Sequence, residues 1–117
     1  MNNDELYKDI IKHSFGFSLA AIWDGLQYNY SCLCYKERVE VFLFVLNKAM
    51  EDGILRLADE GKFLEGSISE QVIRFKNSFP EKEEDMYEFY FGLDLQGNLW
   101  APAGGVWICD GGDKIWT

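Results

Sequence analysis

The sequence is poor in most of the residues that catalysis, cross-linking and membranes require. Among its 117 residues there is one histidine, His13, so no cluster of imidazoles is available for metal binding or acid–base relay. There are three cysteines, Cys32, Cys34 and Cys109. An odd number with two of them as a Cys-x-Cys pair argues against a disulfide framework, and reduced thiols are expected. With His13 they match no zinc-knuckle spacing, so no metal is expected. Basic residues are also scarce, 11 Lys and Arg against 20 Asp and Glu, for a net charge of −9. That balance repels nucleic-acid phosphate and anionic lipid and attracts basic protein surfaces. No apolar run approaches the roughly 20 residues that span a bilayer. The amino end lacks the basic start and apolar stretch of a secretory signal, which leads to the expectation of a cytoplasmic protein.

What is present is apolar and aromatic. Hydrophobic residues make up 48% and aromatic residues 16% of the chain, which excludes an intrinsically disordered protein. The length suits one domain, residues 1–117, with one core. Residues 37–50 carry apolar side chains around most of a helical wheel, so this helix is expected to be wrapped by other elements.

Before that helix, Asn3 or Asp4 is placed to cap a helix bearing Leu6, Ile10, Ile11 and Phe15, which Gly16 stops. Ser18 is placed to cap a second, with Leu19, Ile22, Trp23 and Leu26 on one face. After Gly53, residues 54–58 read equally as a short strand or another helical turn, and residues 61–66 as a loop. Ser67 with Glu70 forms a capping box at the start of a helix that Pro80 ends. Residues 86–91 and 93–95 alternate in part and are aromatic-rich, as strands are, and Leu99 and Trp100 resume the pattern after a turn. Residues 106–109, the turn 110–113 and residues 114–116 read as a closing hairpin. The resulting fold class is α+β, N-terminal helices packed on a C-terminal antiparallel sheet of three to four strands.

No catalytic or cofactor-binding constellation emerges. The glycines at 61, 66, 104 and 105 match neither a dinucleotide fingerprint nor a P-loop, and Asp110-Gly-Gly-Asp113 lacks the alternating oxygen ligands of a calcium loop. Trp100, Trp107 and Trp116 are expected in the core, with any exposed one serving as an interface anchor.

The wording of residues 61–72, Arg74-Phe75, Phe79-Pro80, Gly105-Val106-Trp107-Ile108 and Ile115-Trp116-Thr117, with the stretch 18–23, resembles the bacterial domain-of-unknown-function family number 596. The resemblance implies a small bacterial cytoplasmic protein and carries no active-site residue with it. Together with the charge, it leads to the expectation of an immunity-type interaction protein, not an enzyme, that binds and neutralises a basic toxin domain such as a nuclease. Glu81, Glu83, Glu84, Asp85 and Glu88 are the expected partner-binding rim, with Asp59 and Glu60 as a second patch. The alternatives are a small-ligand or enzymatic pocket between helices and sheet, for which a carboxylate of raised pKa is the sign, and a homo-oligomer using its aromatic surface.

Overall fold

A computed structural model describes residues 2–117. Four helices and four strands alternate in part: α1 (Asn3–Ser14), α2 (Leu19–Asn29), α3 (Tyr35–Glu51), β1 (Leu55–Asp59), β2 (Lys62–Phe63), α4 (Ile68–Ser78), β3 (Gly104–Ile108) and β4 (Lys114–Trp116). The strands form one antiparallel sheet in the order β2-β1-β3-β4. The expected α+β class holds, with α4 inserted between the two halves of the sheet.

Local chemistry sets most of the helix ends. Asn2, one residue before the expected cap, accepts a 2.9 Å hydrogen bond from the Glu5 amide through its side chain. At α4 the predicted box is complete: the Glu70 amide donates to Ser67 Oγ at 3.1 Å, and the Ser67 amide donates to Glu70 Oε1 at 3.2 Å. Glu37 plays the same part at α3, accepting from the Cys34 amide at 3.0 Å. These backbone N–H groups hold the Glu37 and Glu70 carboxyls below the ordinary glutamate value of 4.5. A carboxylate whose pKa is lowered by folding contributes stability that is present above its unfolded value and lost as pH falls through the folded one. Glu70→Gln is therefore expected to lose less stability than the wild type between about pH 6 and about pH 3, measured by urea midpoints. Equal losses in the two proteins would contradict this account of the cap.

Helix α3 contacts α2, α4 and β1, and buries Phe42, Leu43, Val45, Leu46, Ala49 and Met50, as expected for a wrapped helix. One aromatic cluster joins the elements. Phe42 stands 5.9 Å from Trp23 of α2, 5.5 Å from Phe75 of α4 and 5.3 Å from Phe91, and Phe79 lies 4.6 Å from Trp100, centroid to centroid. Trp107 is fully buried, and its indole N–H donates to the Phe17 carbonyl at 2.7 Å. At Gly105 a Cβ would lie 2.8 Å from Leu19, so the missing side chain lets the start of α2 close onto β3.

Residues 54–58, which the sequence leaves between strand and helix, resolve into β1 from Leu55 onward, and residues 62–63 of the expected loop form the short strand β2. The expected strands at 86–91, 93–95 and 99–100 are not formed. Only isolated bridges occur there, Met86 with Asp94 and Leu93 with Leu99. Gly92, at φ 106°, and Gly97, at φ 82°, turn the backbone out of any extended line. Asp94 Oδ1 accepts the amides of both Gln96 and Asn98 at 2.9 Å, an Asx-type turn that takes groups a strand ladder would need. Met86, Phe91 and Trp100 pack inward while Phe89, Leu95 and Leu99 stay exposed, so the alternation encodes a folded loop pinned at three points.

Candidate functional site: an acidic, aromatic groove

The loop that replaces the expected strands builds the most distinctive surface of the molecule. A short 3-10 turn, Glu83–Asp85, stands at its start. Arg38 of α3, only 8% exposed, donates from Nη1 to Glu83 Oε2 at 2.6 Å, with its guanidinium 5.2 Å from the Trp23 ring centroid. Tyr35 donates to the Pro80 carbonyl at 2.6 Å, and burial, then the charge of Glu83, pushes its hydroxyl up to about 12. The Leu95 amide donates to the Asp85 carbonyl and the Trp100 indole N–H to the Leu93 carbonyl, which close the loop onto itself.

Two adjoining lobes lie beside this loop. One, of about 470 Å³, is lined by Trp23, Asp24, Gln27, Glu83, Glu84, Met86, Tyr87, Glu88, Phe89, Phe91 and Leu95. The other, of about 380 Å³, is bordered by Asp24, Asp59, Glu88, Phe89, Tyr90 and Phe91, with the start of α2, Leu99, Ala101, Ala103, Gly104 and Thr117. Asp24, Glu88, Phe89 and Phe91 belong to both. No lysine, arginine or histidine lines either lobe. The aromatic side chains here are open, Tyr87 at 43%, Tyr90 at 61% and Phe89 at 80% exposure. Asp24 is exposed, partial burial still holds its carboxyl above the ordinary aspartate value, and it has no hydrogen-bond or ion-pair partner among the described residues.

The predicted rim is thus divided. Glu83, Glu84 and Glu88 line the first lobe, and Asp59, predicted as part of a separate patch, joins Glu88 in the second. Glu81 and Asp85 are exposed beside the groove but line neither lobe, and Glu60 sits at the β1–β2 turn at φ 50°. Glu83 is committed to Arg38, which leaves it a structural partner as much as a rim charge. Asp24 and the loop aromatics lie outside the set of residues expected from the sequence. The available signal is that Asp24 is the one charged residue in α2, next to a core tryptophan.

Outside the groove Phe17, Tyr28 and Trp116 are also exposed. Trp116, the exposed tryptophan among the final three, lies against Phe63 at 5.1 Å between ring centroids, and Arg56 lies 3.7 Å over the Phe63 ring. The three cysteines carry free thiols, and no three His, Cys, Asp or Glu side chains converge as metal ligands among the described residues. No helix among them is long and apolar enough to cross a membrane.

A family model described as "Protein of unknown function, DUF596" matches residues 50–117. The matched span holds the α4 cap, the groove loop and the Trp-bearing hairpin, while the stretch 18–23 that also carries the resemblance lies outside it. Among solved structures, an uncharacterised protein conserved in bacteria, from Neisseria meningitidis, shares the fold at a TM-score of 0.73 and 18% identity, over 97% of this chain and 88% of the other. No curated protein matches the chain.

Proposed function

The chain belongs to the DUF596 family of proteins of unknown function, and from that premise and its surface we propose that it is an interaction protein that binds a basic protein partner through the groove beside residues 83–91. One observation carries the reading: Asp24, Asp59, Glu83, Glu84 and Glu88 gather with open aromatic rings in two adjoining lobes that contain no basic side chain. Carboxylates around a groove steer a cationic partner into encounter, and exposed Tyr and Phe supply the anchors that hold it. The finer form of the proposal is an immunity role in the cytoplasm, with the partner a basic toxin domain such as a nuclease whose active or access surface the groove loop covers. The net charge of −9 supports that choice, since a nucleic-acid-cleaving domain carries the opposite sign where it meets its substrate.

The ligand-pocket alternative draws on Asp24, whose carboxyl is raised by desolvation. A single unpartnered acid in an open groove suits holding a cation better than shuttling a proton between two tuned groups.

The test is to identify what the neighbouring gene encodes and, where that is a basic toxin-type domain, to co-express the two, scored by growth, with association measured on the purified pair. The wild type is expected to restore growth. The triple reversal Glu84→Lys, Asp85→Lys, Glu88→Lys is expected to slow association about tenfold and flatten its salt dependence. Absence of rescue by the wild type, or unchanged association by the triple variant, would remove the proposal.

A further inference from the structure

The groove has a chemistry more specific than negative charge, and the partner feature it selects can be named once the partner-binding function proposed for it is granted. Asp24 stands where the two lobes meet, without a cationic or hydrogen-bonding partner among the described residues. Asp24 is exposed, so its carboxylate is open to an arriving cation and gives up no internal ion pair to receive it. Around it stand aromatic rings with open faces, Phe89 and Tyr87 among them, 6.0 Å apart and nearly perpendicular.

Elsewhere in the fold the same parts already meet around a guanidinium. Arg38 lies 5.2 Å from the Trp23 ring centroid and donates to Glu83 at 2.6 Å. Both Trp23 and Glu83 also line the groove, so an internal arginine serves the inner side of the wall that the groove presents outward. A guanidinium is planar and weakly hydrated, stacks on aromatic faces and pairs with carboxylates in a fork, whereas a lysine ammonium is a compact, strongly hydrated point charge. Two lobes of about 470 and 380 Å³ on either side of Asp24 exceed what one side chain fills and leave room for the residues before and after it. We propose that the groove captures an arginine side chain projecting from an extended segment of the partner, its guanidinium against Asp24 and stacked on a loop aromatic ring, with the flanking partner residues in the two lobes.

The experiment uses the full chain, labelled with nitrogen-15, titrated with three probes: the peptide acetyl-Gly-Leu-Arg-Leu-Gly-amide, the same peptide with lysine in place of arginine, and arginine amide alone. The arginine peptide is expected to move the Trp23 indole resonance and the amides of residues 86–91, and to bind more tightly than either other probe. Asp24→Asn is expected to weaken it roughly tenfold, the scale of a lost charge-assisted hydrogen bond. Asp110→Asn, which removes the same charge from an exposed turn outside both lobes, is expected to leave it within about twofold. Phe89→Ser, a change at an exposed side chain that leaves the core intact, is expected to weaken it several-fold by removing a stacking face. Equal binding of the lysine peptide, equal effects of the Asp24 and Asp110 variants, or no binding of the arginine peptide would overturn the inference. If the peptide fails while the whole partner still binds in a charge-dependent way, this inference falls and the broader function stands. If the partner fails and the peptide binds at Asp24, the broader function falls.

Discussion

Replacing Phe42 with alanine is expected to lower the stability of the fold by about 3–5 kcal/mol, the cost of deleting a fully buried phenylalanine and leaving a cavity. The upper part of that range applies because the site cannot collapse. Phe42 is completely inaccessible, and its ring neighbours are Trp23, Phe75, Phe79 and Phe91, each 5.3–5.9 Å away and carried by α2, by α4 or by the chain beyond α4. Rigid rings held by separate backbones leave the void largely open, and a domain with roughly 5–15 kcal/mol in total has little left after such a loss. The control is Phe89→Ala, an equal truncation at a side chain that is 80% exposed, for which a change within about 0.5 kcal/mol is expected. Urea unfolding of the two variants beside the wild type decides it. A Phe42→Ala loss below about 1 kcal/mol would mean that the aromatic cluster is not the centre of the core. Because Phe91 touches Phe42 and also lines the groove, the same variant is expected to loosen the groove loop.

The parts of this architecture that could be read in advance are those whose chemistry closes within a few residues. The Ser67 and Glu70 box joins groups three positions apart. The β3–β4 hairpin turns through glycines at φ 89° and 94°, and its residues 106–108 pair directly with 114–116. The segment 86–100 misleads for the converse reason. Its aromatic alternation is the local pattern of a strand, but a strand also needs a neighbouring backbone, and the sheet β2-β1-β3-β4 is built without this segment at either edge. The segment instead satisfies its backbone locally, through Asp94 and the Asp85 and Leu93 carbonyls, and divides its apolar residues between the core and solvent. That second set is what makes the groove wall. The acidic run 81–85 is visible as charge, but its division into rim and anchor is not, since the residue that claims Glu83 lies 45 positions earlier, within an otherwise apolar helix face.

Glu83→Ala is expected to cost more than Arg38→Met, although the two substitutions break the same ion pair. Arg38 is nearly enclosed, its side chain 9% exposed against 46% for Glu83, and its Nε has no partner even in the intact protein. Removing Glu83 leaves a buried guanidinium with Trp23 beside it and a distant, 3.5 Å contact to the Leu33 carbonyl. Stranding one partner of a buried pair costs about 3–5 kcal/mol, and the solvent reaching Glu83 reduces this to about 2–3 kcal/mol. Removing Arg38 instead leaves an acid that can turn into water, and methionine fills the same channel with apolar atoms, so a change near zero is expected. Glu83→Gln, which keeps an acceptor within reach of Arg38, is expected to fall between the two. Thermal or urea midpoints of the three variants order them, and equal losses for Glu83→Ala and Arg38→Met would refute the asymmetry. The consequence for binding separates the two roles of Glu83. In Arg38→Met the groove keeps every carboxylate but loses the tie that holds residues 83–85 against α3, so weaker partner binding in a stably folded protein would assign the pair to positioning the loop. Unchanged binding would leave that positioning to Tyr35 and the hydrogen bonds that close the loop on itself.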